Sequence, residues 1–379
     1  MIGDAGTVNL RQVVKPEKRR NPNGMTKLVS FFAGLFVCTA VASAAGVTYT
    51  CDSSVDATEA GTCDYLNSTI AGLYDSTFIN ASADIYIQQG VTGLGASETA
   101  ESFLSFGTYV SALTATASGN GVDTAALAAL NSLDAAVYGS DNVVVSSALA
   151  GALGFSGVGG LTASGVNCTL GVDAGCYNGI ITITTPANLA SEDPGQSLYY
   201  RQNGGSITAN AYDYYSVVEH ETDEVLGTFS CISTTGGPLS DPCDAGTGAT
   251  AGTGTPSAVD LFRYNSLGSL AVNNAYLGLG SAPAGAYFSY NGGVTNGADG
   301  AIFNTVANGQ DYADFTASCT WVQDSTGCLG KSIDITTDGN AEINMLDATG
   351  YNLTPEPGTI VLFSAGLTAL ALRRYFGRV

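Results

Sequence analysis

The 379-residue sequence holds a single histidine, and this scarcity limits its chemistry before any motif is read. One imidazole excludes a Cys2His2 finger, a three-histidine metal site and any relay between two histidines. Positive charge is also scarce: 12 Lys and Arg stand against 33 Asp and Glu, a formal net charge of −21. A nucleic-acid partner, held through its phosphates by Lys and Arg, is therefore not expected. There is no G-x-S-x-G elbow, G-x-G-x-x-G fingerprint or G-x4-G-K-[ST] loop. Readings as an α/β-hydrolase, a Rossmann protein or a P-loop protein thus have no anchor. No repeat of fixed period occurs, which argues against solenoids and propellers. Charged residues amount to only 12% of a chain crowded with Gly, Ala, Ser and Thr, unusual for a cytosolic enzyme.

The few bases are unevenly placed. Six lie within the first 27 positions (Arg11, Lys15, Lys18, Arg19, Arg20, Lys27) and three within the last seven (Arg373, Arg374, Arg378). Leu28 to Val41 follows the first cluster as a mostly apolar run ending at Ala42-Ser43-Ala44. That order fits a signal peptide over residues 1–44, with an extended n-region or a true start at Met25. An uncleaved anchor is the alternative, but 14 residues fall short of the ~20 that a spanning helix needs.

Cysteine spacing agrees with export. Cys38 lies in the apolar run, and the other eight form close couples: Cys51 with Cys63, Cys168 with Cys176, Cys231 with Cys243, and Cys319 with Cys328. Four local disulfides in an oxidising compartment are expected, since metal thiolates would show C-x2-4-C spacing.

At the other end, Thr354-Pro355-Glu356-Pro357-Gly358 precedes the apolar stretch Thr359 to Leu372 and then Arg373-Arg374-Tyr375-Phe376-Gly377-Arg378. A Pro-rich break, a short hydrophobic helix and a basic stop make up this tail. It resembles a PEP-CTERM sorting signal. The resemblance implies recognition by an exosortase-type processing enzyme, transient anchoring at the inner membrane, and release to the surface or exterior of a bacterium. Residues 355–379 are assigned to this tail.

The interior reads as mixed α and β. Cys63 to Phe78 has near-helical apolar spacing, Ala83 to Gln89 alternates as a strand does, and Gly179 to Thr185 is a β-branched run. Ser102 to Gly154 suggests two or three helices rich in small residues, and Asp241 to Ser257 a turn-rich connector. An N-terminal α/β lobe over 45–178 and a second lobe over 179–354 are expected.

The lone histidine sits in Tyr212-Asp-Tyr-Tyr-Ser-Val-Val-Glu-His-Glu-Thr-Asp-Glu-Val-Leu-Gly227. Asp213 can cap a helix there and Gly227 can close it. On such a helix His220 and Glu224 share one face and could ligate one metal ion, with Glu221 placed to act on bound water. This is the H-E-x-x-H arrangement with glutamate in place of the second histidine. Ser230 stands where the longer metzincin pattern has its third histidine. The alternative is an acidic, solvated surface helix bearing a stray histidine.

Val217 to Gly227 resembles the signature of a bacterial family of secreted HExxE-type metalloproteases that often carry PEP-CTERM tails. Asp260 to Tyr264, Ala286 to Asn296 and Ile343 to Tyr351 are similar to further blocks of that family, although Asn291 replaces an aspartate common there. The resemblance implies a zincin-like (metzincin-type) α+β fold, with a mixed sheet over the active-site helix, and hydrolysis of protein or peptide substrates. Asp260, Asp311 and Asp314 are candidates for the third ligand, and Asp260 is assigned. Tyr264 is assigned as an oxyanion donor, against the alternative that Phe262-Arg263-Tyr264 is core with an Arg263 salt bridge. Zinc suits a His/carboxylate shell, with manganese or calcium also compatible. Met345, beneath the metal in a metzincin, reads here as core, and Asp334 to Gly339 as a turn. A second class of function stays open: a non-catalytic surface or matrix protein that keeps this fold.

Overall fold

In a computed structural model of the protein, the described residues are 46–133, 142–231, 255–266, 269–270, 285–294, 301–304 and 311–355. The expected signal peptide, most of the connector 241–257 and all but the start of the C-terminal tail lie outside them. Among the described residues no helix is long and apolar enough to cross a membrane.

The chain opens with β1 (Val47–Cys51), a short helix α1 (Ser53–Thr58), and α2, which runs Thr62–Tyr65, a π turn Leu66–Ile70, and Ala71–Thr77. Strands β2 (Ala83–Gly90), β3 (Gly95–Thr99) and β4 (Glu101–Ser105) follow, then helices α3 (Phe106–Thr116) and α4 (Gly121–Ser132). Next come β5 (Asn142–Ser146), α5 (Ser147–Ala152), and the small strands β6 (Gly159–Thr162), β7 (Asn167–Thr169) and β8 (Cys176–Tyr177). Strand β9 (Gly179–Thr184), helix α6 (Pro186–Glu192) and the pair β10 (Ser197–Tyr199) and β11 (Ala211–Asp213) lead into helix α7 (Tyr214–Leu226). Strands β12 (Arg263–Ser266), β13 (Ser269–Leu270) and β14 (Tyr287–Phe288) form a small sheet, and α8 (Ala341–Thr349) is the last helix described.

The main sheet has the order β1-β2-β9-β3, with β1, β2 and β9 parallel and β3 antiparallel to β9. Alternation in β2 sends Ala83, Ile85 and Ile87 inward, whereas β9, Gly-Ile-Ile-Thr-Ile-Thr, is buried almost throughout. A strand covered on both faces needs such an unbroken β-branched run. Helix α7 lies across β9 and β3 on one face, while Ile180 packs with Ala100 and Leu161 in a separate apolar cluster. The lobes expected on either side of residue 179 therefore share one sheet, and a single apolar core runs from Val47 to Tyr351. Sequence contrast at 178/179 marks a change from a disulfide loop to a central strand, not a domain border.

The small-residue stretch 102–154 does hold three helices, α3, α4 and α5, but β4 and β5 pair antiparallel within the same region. Of the four expected disulfides, Cys51–Cys63, Cys168–Cys176 and Cys319–Cys328 are in place. Cys231 is itself disulfide-bonded, and its expected partner Cys243 lies outside the described residues.

Candidate metal centre

Helix α7 forms where its ends are marked. The Asp213 carboxylate accepts the backbone N–H of Tyr215 at 2.9 Å, satisfying a donor that the first turn leaves unpaired. At the other end Gly227 takes φ +126°, a left-handed conformation that costs glycine little, and its N–H returns to the carbonyls of Asp223 and Glu224. Tyrosines anchor the helix: Tyr74 donates to Asp223 Oδ1 at 2.8 Å, Tyr351 donates to the Leu226 carbonyl at 2.8 Å, and the Tyr49 and Thr222 hydroxyls are 2.9 Å apart.

The acidic residues of α7 do not form a solvated face. Glu219 and Asp223 are 0% exposed and Glu221 5%. Glu219 pairs with Arg201 and accepts the Ile335 N–H. Glu221 lies against β3 at Gly95, where an added Cβ would stand 2.3 Å from its Oε1; only a glycine leaves that carboxylate its place.

The His220 Nδ1 is 3.0 Å from the Val322 carbonyl oxygen. A carbonyl only accepts, so Nδ1 carries a hydrogen and Nε2 is the nitrogen turned toward the carboxylates. That Nε2 is 3.6 Å from Glu224 Oε1 and 3.6 Å from Asp314 Oδ1, and the three ligand atoms lie within 4.8 Å of one another. Ligands about 2.0–2.1 Å from a tetrahedral ion stand roughly 3.3 Å apart. The two edges from His220, at 3.6 Å, are close to that spacing, and the third is no longer than 4.8 Å. Each carboxylate has an orienting partner: Ser97 Oγ on β3 donates to Glu224 Oε2 at 2.5 Å, and Gln323 Nε2 donates to Asp314 Oδ1 at 3.1 Å.

Charge is strongly unbalanced here. Burial lowers the His220 pKa, but Asp314, Glu224 and Glu221 outweigh it and hold the imidazole well above its ordinary value. Burial and the neighbouring Glu224 charge push Glu221 well up, and burial lifts Asp314 to about 7. Burial also opposes ionisation of Glu224, yet hydrogen bonds and charge from His220 and Ser97 leave it lowered. Several carboxylates around one imidazole, with Glu221 and Asp314 buried and His220 and Glu224 partly so, need either protons or a cation.

Comparison of the chain with family models, curated proteins and solved structures gave no match. The site's chemistry is read from its own geometry.

Of the residues singled out in the sequence, His220, Glu221 and Glu224 come together. The third position goes to Asp314 rather than Asp260. Asp260 is fully buried elsewhere in its bonding: Oδ1 accepts the Ser230 hydroxyl at 2.6 Å and Oδ2 the N–H groups of Cys231 and Ser257, with Arg263 Nε 3.6 Å away. Asp311 accepts the Ser230 and Ala313 N–H groups. Ser230, at the place of a third histidine, thus anchors the segment that carries Asp314. Tyr264 is buried beside Arg263 on β12, and burial alone raises it to about 12. No carboxylate of the triad acts on it, so the structure supports the core reading of Phe262-Arg263-Tyr264. Arg263 is fully buried, donates to the Tyr312 carbonyl and stacks 3.9 Å over Phe303. Met345 is core. Ser97 and Gln323 carried no signal in the sequence, because each acts through a single hydrogen bond from a distant segment.

Proposed function

We propose that the protein is an exported, zinc-dependent hydrolase of the zincin-like type, acting on peptide bonds. The observation that carries this reading is the convergence of His220 Nε2, Glu224 and Asp314 with Glu221 buried alongside. The donor set fits zinc: one imidazole whose Nδ1 is fixed by a carbonyl and whose Nε2 faces the site, and two carboxylates with orienting partners. Calcium, which prefers an all-oxygen shell of six to eight ligands, suits it less well. A bound zinc ion would supply Lewis-acid polarisation of a carbonyl and acidify a water.

The chain's own residues supply the rest. Two anionic ligands acidify that water less than neutral imidazoles do, so a strong local base is required. Glu221, adjacent to His220 and buried against Gly95 of β3, is assigned as that base. Strand β3 lies at the edge of the main sheet and contacts the site through Gly95 and Ser97. An extended peptide pairing with its outer edge would be brought beside Glu221. This arrangement favours a polypeptide substrate over a small ester. The disulfides fit an oxidising compartment, and export with exosortase-type processing at the tail belongs to the same proposal.

Glu221→Gln tests it. Metal content should remain at parent level while cleavage of an unfolded protein falls at least 10²-fold, the usual scale for a general base. Parent-level turnover by this variant would remove Glu221 from the mechanism.

A further inference from the structure

The loop closed by the Cys319–Cys328 disulfide touches the metal triad at several points. Its Val322 carbonyl accepts His220 Nδ1–H, fixing the tautomer and tilt of the ring. Its Gln323 side chain donates to Asp314 Oδ1 at 3.1 Å, and the Gln323 carbonyl accepts the N–H of Phe315, the residue after Asp314, at 2.7 Å. The Ser325 N–H returns to the Phe315 carbonyl at 2.8 Å. Asp324 of the loop gathers the Thr320 N–H at 2.9 Å and, from just before Cys319, the Ser318 hydroxyl at 3.2 Å. Gln323 is fully buried, and its Oε1 has no partner among the described residues. Packing alone would favour an apolar side chain there. The amide is explained by the single bond to Asp314.

We propose that this disulfide-closed loop is the collar that orients two of the three ligands, with Val322 and Gln323 as positioning residues. The site then reaches full metal affinity only when the Cys319–Cys328 bond is closed. This rests on the metal reading above and adds a dependence that reading does not contain. Removing orienting partners of metal ligands typically weakens binding 10- to 100-fold. The disulfides Cys51–Cys63 and Cys168–Cys176 lie in the β1–α2 and β7–β8 regions and provide a control.

The test uses the full chain, folded under oxidising conditions, with cobalt(II) as a visible stand-in for zinc. Cys319→Ser/Cys328→Ser and Gln323→Leu should each bind cobalt about 10- to 100-fold more weakly than the parent, with altered visible absorption bands. Cys168→Ser/Cys176→Ser should match the parent in both. Because the collar variant lacking its disulfide could lose its fold, Gln323→Leu, which keeps the bond, decides alone if that happens. Parent-like affinity and spectrum in Gln323→Leu would overturn the collar while leaving the metal site standing. A parent protein that binds no more cobalt than His220→Ala would overturn the metal reading and the collar with it.

Discussion

Stability should fall as pH rises from mildly acidic to neutral, and Asp347 offers the cleanest measure of the effect. Its carboxylate is 0% exposed on α8 and faces Asn120 and Asp123 at the start of α4. Asn120 Nδ2 donates to both Asp347 oxygens, at 3.0 and 2.9 Å. Asp123 Oδ2 is taken by the Ser118 hydroxyl and the Gly119 N–H, while its Oδ1 has no partner among the described residues. Burial raises Asp347 from 3.8 to about 7; Asn120 opposes the rise and Asp123 adds to it. The folded state thus holds a proton that the unfolded chain releases near pH 4. The stabilisation is fully present below the unfolded pKa and is lost as pH rises through about 7. At about 1.4 kcal/mol per pH unit, its ceiling is on the order of 4 kcal/mol, with roughly 2 kcal/mol lost between pH 5 and pH 7. Other buried carboxylates push in the same direction, so the measurement is a difference. Urea unfolding of the parent and of Asp347→Asn, disulfides intact, should show the parent losing about 2 kcal/mol more than the variant over that interval. Parallel pH profiles for the two proteins would refute the assigned proton.

Two further substitutions separate ligation from support. Asp314→Asn should abolish stoichiometric zinc while changing stability little, whereas Asp260→Asn should keep zinc yet cost about 3–5 kcal/mol, because it breaks a buried charge pair and its hydrogen bonds; metal analysis and chemical denaturation on both variants check this. Gly95→Ala places a Cβ 2.3 Å from Glu221 Oε1 and 2.8 Å from Val217 Cγ1. It should retain zinc and lose about 10²-fold in kcat, the scale of a displaced catalytic group, as a steady-state assay on an unfolded protein substrate would show.

The helix and two members of the His220, Glu224 and Asp314 group were legible because their determinants are local. Asp213, the His220/Glu224 spacing and Gly227 all fall within one short segment, and the structure keeps each in the role its chemistry suggests. Asp314 was open to sequence reasoning only as one candidate of three. It lies outside any helix or strand and reaches the site through tertiary contacts, the backbone of its neighbour Phe315 pairing with the 319–328 loop. Asp260 drew attention through its aromatic and basic neighbours, but these turn out to be the core around Arg263. Strand β5 was also missed, although its Val143-Val144-Val145 core is β-branched, since the flanking Ala/Ser-rich text favoured helix. The supposed lobe border failed for a related reason: parallel pairing of β9 with β2 joins residues about a hundred positions apart, which no local pattern reports.

The scarcity of basic residues becomes informative once their places are known. Between Ala45 and Pro357 the chain has 31 acidic residues and only three basic ones, Arg201, Arg263 and Lys331. Arg201 is committed to Asp213 and Glu219, Arg263 lies beside Asp260, and Lys331 donates to the Cys319 carbonyl. None of the three pairs with Glu221, Glu224 or Asp314. A fold that needed only to neutralise those buried carboxylates could have placed an arginine among them, as it does for Glu219. Instead it supplies one imidazole, held through Nδ1–H by the Val322 carbonyl so that Nε2 faces the Glu224 and Asp314 carboxylates. The carboxylates around it raise its pKa well above the ordinary value, so without a metal ion the ring carries a proton on Nε2 as their counter-charge. A metal ion at the triad would have to displace that proton, so zinc uptake should release protons and weaken as pH falls.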